Sequence, residues 1–457
     1  MSHKQKKWMY IPIEIKVREI PAKLLLAAAA ANAGYNVIFG RKSVFSKFMT
    51  SFPAGVYLAF GAQQNFSNEY KRLKSRGFSI AVMDEEGLVT FSDDMYKRLR
   101  LSEDTLQYVT HAFCWGKRQA NIIRSIQTEN ELHVYETGNL RFDILRPAFR
   151  HLLEKDAALI KEKYGRIILI NSSFGACNHF DGKEQYFQAL KKKKILQNEQ
   201  DANFYREYFS LKEDVFNKYL DVIPHIAESF PDHTIIVRPH PSENYEAWSG
   251  AAQGHENVKV VHEGSVHPWL IASDAVIHHF CTTALEAFVS DTPAIAYRPV
   301  KNDEIETGFV YSGSVDAQTP EEVLKFLGYA VQGEKHFFET IRDKNRESLS
   351  HYIASMDGSY AYQKILDAFD ENPIYTQDGI NMTRIHLRKL RTRIGDVYRF
   401  FKRGMKPHEK NYMDHKFSSL DEGEIYDIVQ SINEALPDLE QVKVKKLDDL
   451  CFLMSAK

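Results

Sequence analysis

Cysteine is scarce in this chain, and the few cysteines form no recognisable motif. The 457 residues include Cys114, Cys177, Cys281 and Cys451, and no two of them make a C-x-x-C pair. This usage argues against a disulfide framework and against a zinc site. It fits a protein that works in a reducing compartment.

Long apolar runs and an excess of charge are also missing. The longest apolar run, Leu24–Ala31, is far shorter than the roughly 20 residues that span a bilayer. No apolar region with a small-residue cleavage site follows the basic N-terminus, so we predict no secretory signal. With 59 basic and 61 acidic residues, the chain has no electrostatic reason to bind nucleic acid. We expect a cytoplasmic protein, soluble or peripheral at the inner membrane.

The composition that remains is that of a folded protein, 44% hydrophobic and 26% charged. The length favours two domains, because a single core seldom grows beyond about 250–300 residues. Short apolar runs alternate with helical stretches, which predicts an α/β fold with parallel sheets and right-handed crossovers. We predict a Rossmann-like domain at 1–150, a second at 165–370, and a helical C-terminal extension at 380–457.

The helices and strands are predicted from the spacing of apolar residues and from the residues that begin or end such elements. Predicted helices are Ala22–Ala31, Phe204–Glu228, Pro268–Ala272 and Thr283–Val289. Predicted strands are Trp8–Ile15, Tyr35–Gly40, Val56–Gly61, Ser79–Met83, Ala112–Trp115 and Leu132–Glu136 in the first series, then Arg166–Asn171, Thr234–Arg238, Val258–His262, Ala275–His278 and Ala294–Tyr297.

The C-terminal tail differs from the rest of the chain. Residues 384–406 hold nine Lys or Arg against one acid, which predicts a basic amphipathic helix. Its apolar residues stand at helical spacing: Leu387, Leu390, Ile394, Val397 and Phe401. One hypothesis is contact with the anionic inner-membrane surface, and the alternative is packing of the apolar face on the second domain. The last forty residues predict a small acidic helical cap.

Ligands of doubly wound sheets lie beyond the carboxyl ends of the strands, so polar clusters just after strands are candidate sites. Asp84, Glu85 and Glu86 follow the strand SIAVM and precede Gly87, which permits a tight turn. Repulsion among three carboxylates can raise the pKa of one toward the range of a general base. A solvated acidic turn is the alternative interpretation.

The second cluster is RPHPSE, residues 238–243, directly after the strand HTIIV. Two prolines hold His240 in a rigid extended turn, outside any helix or ladder. Arg238 and His240 suit a phosphate, and Pro241 and Glu243 complete the cluster. We predict a phosphate-binding site here, with a purely structural histidine as the alternative.

Two further clusters have residue types suited to phosphate binding. In HHFCTTALE, residues 278–286, Thr282 and Thr283 stand at a helix start whose free N–H groups favour anions, and Glu286 stands one turn later, within reach of a ribose. An ordinary threonine N-cap explains the threonines but not the adjacent histidines. In NSSFG, residues 171–175, Ser172 and Ser173 form a small polar loop that is weak evidence by itself.

Taken in order, these motifs resemble a known pattern. An acidic motif ending in glycine, an HP dipeptide, and a hydroxyl pair followed by a glutamate are similar to the GT-B transferases that use CMP-activated sugars: bacterial sialyltransferases and the capsule Kdo and pseudaminic acid transferases. The opening IPIEIKVREIPAKLLLA and the segment TGNLRFDIL at 137–145 resemble surface carbohydrate biosynthesis proteins. The latter segment also resembles the T-G-N segment of sugar-nucleotide epimerases. The resemblance covers residues 8–300.

The resemblance implies a GT-B fold, with two Rossmann-like domains facing a central cleft. It implies Glu86 as catalytic base, His240 as a contact of the donor phosphate or CMP, Thr282 and Thr283 as phosphate holders, and Glu286 as the ribose contact. The threonines stand where sialyltransferases have serines, and the extra carboxylate leaves Asp84 or Glu85 as alternatives for the base. A retaining mechanism would make the carboxylate a nucleophile or a stabiliser instead.

The function predicted is transfer of a sugar from a nucleotide-sugar donor to a lipid-linked or oligosaccharide acceptor. Residues after the first strand are predicted to bind acceptor hydroxyls or the donor carboxylate, with plain surface charge as the alternative: Glu14, Lys16, Arg18 and Glu19. No D-x-D motif of the usual kind stands out, so we expect no metal and no cofactor besides the donor. Alternatives are a CDP-polyol phosphotransferase, a nucleotide-sugar epimerase, or a non-catalytic polysaccharide-assembly subunit.

Overall fold

The computed structural model describes residues 5–193, 195–371, 373–376, 378–391, 417, 419–437, 439 and 441–457. The chain divides into two compact units. The first unit comprises Met1–Gly87, Arg100–Ile144 and Ile353–Lys457, and the second comprises Leu88–Leu99 and Leu145–Tyr352. The segment Leu88–Leu99, directly after the acidic motif, thus belongs to the second unit although it lies in sequence between two segments of the first.

Two sheets account for the strands of the described chain. The strands are β1 (Lys6–Ile13), β2 (Tyr35–Arg41), β3 (Val56–Ala59), β4 (Ser79–Met83), β5 (His111–Cys114), β6 (His133–Glu136), β7 (Ile167–Asn171), β8 (Thr234–Arg238), β9 (Val258–Val260), β10 (Ala275–His278), β11 (Ala294–Tyr297), β12 (Val315–Ala317), β13 (Tyr375–Thr376), β14 (Val442–Asp448) and β15 (Cys451–Ala456).

Helices connect most of the parallel strands. The α-helices are α1 (Lys16–Asn32), α2 (Lys42–Phe48), α3 (Ser67–Lys74), α4 (Asp93–Arg100), α5 (Glu103–Leu106), α6 (Lys117–Arg124), α7 (Leu140–Asp143), α8 (His151–Tyr164), α9 (Lys183–Lys192), α10 (Glu199–Ser229), α11 (Glu246–Ala251), α12 (Val266–Ala272), α13 (Thr283–Val289), α14 (Pro320–Val331), α15 (Lys335–Ser350), α16 (Ala361–Glu371) and α17 (Glu422–Ala435).

The first unit is built on a nine-stranded sheet. Its strand order is β14-β15-β2-β1-β3-β4-β5-β6, with β13 paired to β1 off that path. The strands from β2 to β6 run parallel, and the acidic motif follows β4 near the middle of the sheet. Helix α1 is apolar on all sides from Leu24 to Ala31 and is buried throughout that run, as expected of a core helix.

The second unit is a six-stranded sheet with every pair parallel. Its order is β9-β8-β7-β10-β11-β12, which is the order 3-2-1-4-5-6 of a doubly wound Rossmann sheet. The order reverses between β7 and β10. Ligands of such sheets bind at that switch point, beyond the carboxyl ends of the strands, and the NSSFG and HHFCTT segments follow these two strands.

The predicted helical cap at the C-terminus is wrong in part. Helix α17 is present, but β14 and β15 follow it as an antiparallel hairpin, and β15 pairs with β2. The close approach requires Gly40, whose φ is 148° and whose added Cβ would lie 2.1 Å from the Leu450 carbonyl oxygen. The tail therefore completes the first unit's sheet and is not a separate helical extension.

The predicted basic helix at 384–406 lies only partly within the described residues. Residues 382–391 are helical, whereas 392–406, with Ile394, Val397 and Phe401, lie outside them. Ile385 is buried in the core of the first unit, and Lys389 donates to the Leu447 carbonyl at 2.6 Å. The described part thus packs on the first unit, whereas the packing alternative offered from the sequence was the second domain.

Candidate active site

The acidic motif forms a tight turn at the carboxyl end of β4. The backbone N–H of Gly87 donates to the Asp84 carbonyl at 3.2 Å, and the N–H of Glu86 donates to Asp84 Oδ1 at 3.1 Å. The Trp115 indole N–H also donates to the Asp84 carbonyl, at 2.6 Å. Asp84 therefore shapes the turn through its side chain and its backbone.

Each carboxylate of the turn lies beside an arginine. The ion pairs are Asp84 with Arg100, Glu85 with Arg141 at 3.2 Å, and Glu86 with Arg18 at 3.6 Å and Arg100 at 3.5 Å. The mutual repulsion predicted for the three carboxylates left such counter-charges out of account. Three guanidinium groups offset that repulsion, so the turn is a balanced cluster of charges.

Exposure separates the three carboxylates. The side chains of Asp84 and Glu85 are each 6% exposed, whereas Glu86 is 62% exposed. Asn139, in the TGN segment, donates to Glu85 at 3.3 Å, and Arg141 donates to the Glu85 carbonyl at 3.0 Å. Asp84 and Glu85 thus hold the turn in place, and Glu86 is the carboxylate that a solvent-borne substrate can reach.

The four predicted acceptor residues have separate environments. Glu19 is buried, accepts from the backbone N–H groups of Glu14 and Ile15 at 3.2 and 2.9 Å, and pairs with Lys23 at 2.7 Å. It therefore caps the start of α1, in place of the predicted acceptor contact. Lys16 pairs with Glu424 of α17 at 2.7 Å. Arg18 lies beside Glu86 and so joins the acidic turn.

In the second unit, side chains from neighbouring strand ends converge at the switch point. Asn171, the last residue of β7, donates from Nδ2 to Thr283 Oγ1 at the start of α13, at 2.8 Å. Ser173 Oγ donates to the backbone carbonyl of His279, just after β10. The NSSFG loop and the HHFCTT turn are therefore joined by two hydrogen bonds.

Glu243 fixes the HP loop to the loop after β7. Its carboxylate, 3% exposed, accepts hydrogen bonds from four neutral donors: Ser172 Oγ at 2.6 Å, the Phe174 N–H at 2.8 Å, the His240 N–H at 3.2 Å and the Trp248 indole N–H at 2.9 Å. These contacts use both carboxylate oxygens. Glu243 and Ser172 are thus structural neighbours of the site, where the sequence analysis placed them in contact with the donor.

His240 is exposed, and its ring orientation is set locally. Nδ1 accepts from the Ser242 backbone N–H at 3.2 Å and lies 2.8 Å from Ser242 Oγ, so the neutral ring carries its proton on Nε2. The next residue, Pro241, is exposed at the tip of the turn. Gly175 allows the loops to meet, because an added Cβ there would lie 2.3 Å from Ser242 Oγ.

The Arg238 guanidinium binds backbone carbonyls, whereas a phosphate contact was predicted for it. Its guanidinium donates to the carbonyls of Glu263 and Gly264 at 2.8 and 2.6 Å, and it is 5% exposed. Burial lowers the pKa of Arg238 to about 10. This arginine secures the loop after β9, and the phosphate contact predicted for it is replaced by backbone carbonyls.

The turn between β10 and α13 is strained. Phe280 has a φ of 43°, a left-handed conformation that is a genuine outlier for a bulky side chain. Thr282 precedes the first turn of α13 and makes no side-chain capping bond, and Thr283 is 5% exposed. Glu286 is buried in α13 with its Oε1 3.4 Å from His267 Nε2. Strain of this kind clusters at functional sites.

Sequence reasoning missed a buried polar network beneath these loops. Lys212 Nζ, on α10, lies 3.1 Å from Ser173 Oγ and 3.0 Å from His279 Nδ1, and His279 Nε2 lies 3.0 Å from Glu306. Glu306 in turn pairs with Arg298 at 3.2 Å and accepts from Tyr311 at 2.9 Å. The signal for Lys212 was available, because a lysine interrupts the apolar face of α10.

Burial explains the protonation states of this network. It lowers the pKa of His279 to about 4 and, together with the neighbouring His279, that of His278 to about 3. It also lowers the pKa of Lys212. Burial alone would raise the pKa of Glu306, but its bonds to His279 and Tyr311 and the charge of Arg298 hold it below its ordinary value.

Among the residues that the structure describes, no three His, Cys, Asp or Glu side chains group as metal ligands. Over the same residues, no helix is long and apolar enough to cross a membrane.

The chain was compared with known proteins by sequence and by structure. No protein-family model matches it, and the search of curated protein sequences found no match either. Solved structures do match. The wall teichoic acid polymerase TagF, in a histidine variant soaked with CDPG, aligns with a TM-score of 0.50 at 12% identity over 80% of this chain and 88% of its own. A UDP-N-acetylglucosamine 2-epimerase aligns with a TM-score of 0.50 at 11% identity over 80% of this chain and 96% of its own.

The fold is GT-B. The α/β prediction with two Rossmann-like parallel sheets is therefore confirmed, apart from the predicted helical tail. Identities of 11–12% establish the fold alone, since one fold hosts many chemistries. What a GT-B chain does has to be argued from its site.

Proposed function

We propose that this GT-B chain is a glycosyltransferase that moves a sugar from a nucleotide donor, a CMP-activated nonulosonic acid or Kdo, onto a surface polysaccharide acceptor. The observation that carries the proposal is the convergence at the switch point of the second unit. There the 2.8 Å bond between Asn171 and Thr283 joins the end of β7 to the start of α13, and Glu243 binds the HP loop to the loop after β7. Doubly wound sheets bind nucleotides at this position.

The donor phosphate is held by groups of the converging loops. Thr282 and Thr283 supply hydroxyl and backbone N–H groups, and Ser173, whose hydroxyl donates to the His279 carbonyl, holds the two loops together. His240 is exposed and, with Nδ1 turned to Ser242, offers an Nε2 proton to the phosphate. Departure of CMP leaves a phosphate dianion, and fixed donors that neutralise it lower the barrier without a metal ion.

Glu86 is the general base that removes the proton from the acceptor hydroxyl. Of the three carboxylates in the turn it is the exposed one, and Arg18 and Arg100 lie 3.6 and 3.5 Å from it. The buried Asp84 and Glu85 keep the turn rigid. A base of this kind contributes typically about 100- to 10,000-fold to the rate.

An exposed aromatic ring beside the HP loop provides a stacking surface for the nucleobase. Phe180 is 48% exposed, and its backbone N–H donates to the Ser242 carbonyl at 2.9 Å. The centre of its ring lies 4.5 Å from that of His179, and the His179 ring stacks on Tyr186 with centres 4.7 Å apart. Tyr186 in turn stacks on the buried Phe209. A planar base adds to such a stack without regard to sequence-specific hydrogen bonds.

Thermal-shift titration with CMP, CDP, UDP and GDP tests the proposal, because a ligand bound only by the native state raises the unfolding temperature. We expect CMP to give the largest shift and His240→Ala to remove it. Transfer of sialic acid or Kdo from CMP donors should then continue in a chelator. No response to any nucleotide would leave a non-catalytic assembly subunit as the better interpretation.

A CDP-linked or UDP-linked substrate is the second candidate, and the fold neighbours favour it. One neighbour was solved with CDPG, and the other is a UDP-N-acetylglucosamine 2-epimerase. A larger shift with CDP than with CMP would move the proposal to a CDP-polyol phosphotransferase. A preference for UDP, with release of a free epimerised sugar nucleotide, would move it to an epimerase.

We also propose that the helical segment 382–391 contacts anionic lipid near a lipid-linked acceptor. Leu387 and Leu390 are 53% and 57% exposed, while Ile385 of the same segment is buried. Basic residues flank the two leucines, and each adds about 1 kcal/mol near an anionic surface. Co-sedimentation with phosphatidylglycerol vesicles should exceed that with phosphatidylcholine and fall in Leu387→Asp. Equal sedimentation with both lipids would contradict the proposal.

A further inference from the structure

Helix α10 carries a lysine into the interior of the second unit. Lys212 is 0% exposed, and its neighbours on the same helix face, Val215, Phe216 and Tyr219, are buried. An ammonium group loses its hydration in such a place, and buried lysines are therefore nearly always paired with an anion. A lysine here calls for an explanation.

The contacts of Lys212 include no carboxylate. Its ammonium lies 3.1 Å from Ser173 Oγ, 3.0 Å from His279 Nδ1 and 4.7 Å from the centre of the Phe174 ring. Within the part of the chain that the structure describes, no acid lies in ion-pair distance of it. The acids closest in electrostatic effect, Glu306 and Glu243, are held by other donors.

The position of Lys212 relates it to the proposed phosphate site. Ser173 belongs to the loop after β7 and His279 follows β10, and these two strands flank the switch point. The Ser173 hydroxyl accepts from Lys212 and donates to the His279 carbonyl, so it joins both loops above the ammonium. His279 is followed directly by the strained Phe280 and then by the threonine pair.

We propose that Lys212 is a positioning residue for the donor phosphate: its buried ammonium orients Ser173 and supplies the positive charge that the bound phosphate neutralises. The inference rests on the proposed nucleotide-binding function and deepens it. It assigns the ligand class as a phosphorylated nucleoside. It also explains why a lysine without an acidic partner is tolerated in the core of this unit.

The electrostatic setting of Lys212 gives the proposal a pH signature. The titratable groups around it are Cys177, Cys281, Glu243, Glu306 and His279. Burial lowers the pKa of Lys212 below its ordinary value of 10.5. As the pH rises, its charge is therefore lost over a lower pH range than that of an ordinary lysine. Phosphate affinity that depends on this charge falls over the same range.

The test compares CMP with cytidine by isothermal titration calorimetry, using the full chain and Lys212→Met, a neutral variant of similar length. We expect the CMP affinity to fall at least about tenfold, as for loss of a charged hydrogen bond, with cytidine affinity unchanged. Lys218→Met is the matched control, because Lys218 is on the same helix and exposed. It should bind both ligands like the native chain.

The outcomes distinguish a failure of the role proposed for Lys212 from a failure of the proposed nucleotide-binding function. Equal loss of CMP and cytidine affinity, or no loss of either, overturns the role of Lys212 while leaving nucleotide binding intact. A native chain that binds no nucleotide overturns the proposed function itself. If Lys212→Met does not fold, the proposal is tested by measuring the ratio of CMP affinity to cytidine affinity in the native chain at several pH values. This ratio should fall above about pH 7.5, where the phosphate is already doubly charged, and a constant ratio overturns the proposal.

Discussion

The acidic turn of the first unit and the strand-end loops of the second arrange their charges in opposite ways. In the turn, three carboxylates meet three arginines, so direct ion pairs balance the cluster without a ligand. In the loops, Glu243 is held by neutral donors and Lys212 by a hydroxyl and an imidazole. The first arrangement keeps one carboxylate, Glu86, exposed. The second leaves a buried lysine without an acidic partner among the described residues, and we propose that it serves an anionic ligand.

The largest expected effect tests whether Glu86 differs from its neighbours. We expect Glu86→Gln to lower the transfer rate by about 100- to 10,000-fold, because it removes the proposed base. Its unfolding free energy should stay within about 0.5 kcal/mol of native, since the side chain is 62% exposed. Rates come from a transfer assay and stability from urea titration.

Glu85→Gln is the matched variant, because it changes a buried member of the same turn. It leaves Arg141 without its counter-charge, so it should lower stability by about 3–5 kcal/mol. If Glu86→Gln were the less stable protein, or kept its activity, the division of roles within the turn would be wrong.

Substitution of Glu243 tests whether a carboxylate held only by neutral hydrogen-bond donors stabilises the loops of the second unit. Replacing it by alanine leaves the Trp248 indole N–H, the Phe174 N–H and the Ser172 hydroxyl buried without their acceptor. We expect a loss of about 3–5 kcal/mol in unfolding free energy, measured by urea titration. Glu243→Gln keeps one acceptor oxygen and should lose less. Native-like stability of the alanine variant would show that the loops hold together without this carboxylate.

Local pattern predicted much of this fold, and long-range pairing explains the misses. The bounds of β4, β8, β10, β11 and α13 match the predicted residues, because each is a compact apolar run with clear flanks. The C-terminal hairpin was missed because the apolar and polar residues of β14 alternate only from Val442 to Lys445, before Lys446 interrupts the pattern. In addition, β2, the partner of β15, lies some four hundred residues earlier.

In the candidate site, too, local motifs were predicted from the sequence and long-range contacts were not. Motifs such as DEEG, the HP loop and NSSFG could be found because their residue types are adjacent in sequence. The partners that decide their roles come from distant segments: Arg100 and Arg141 for the acidic turn, and Lys212 for the loops. Arg238 was misassigned because a single sequence does not show which way a strand-end side chain points.

A pH titration of stability compares one buried histidine from each unit. Burial lowers the pKa of His111 in the first unit and of His279 in the second to about 4, against 6.5 in the unfolded chain. The unfolded state therefore binds more protons between these values, so stability is full above pH 6.5 and is lost as the pH falls toward 4. Each histidine contributes about 3 kcal/mol to this loss.

His279→Gln and His111→Gln should each flatten the pH dependence of the unfolding free energy over that window, measured by urea titration at several pH values. Because the two pKa values are alike, the two variants should flatten it to a similar extent. An unchanged slope in either variant would mean that its histidine is protonated in the folded protein. For His279, that would also contradict a neutral ring accepting from Lys212.

The smallest expected effect concerns the approach of two loops in the second unit. A Cβ on residue 175 would lie 2.3 Å from Ser242 Oγ, so Gly175→Ala should displace Ser242 and with it the His240 ring, at a cost of about 1–3 kcal/mol. Gly250→Ala is the control, because no atom lies within 4 Å of its added Cβ and helix α11 gains a better helix former. We expect Gly175→Ala to weaken CMP binding in calorimetry while Gly250→Ala leaves it unchanged. Equal CMP affinity in both variants would show that the position of His240 relative to the loop after β7 is not what binds the phosphate, and the donor site would then rest on the threonine turn and Lys212.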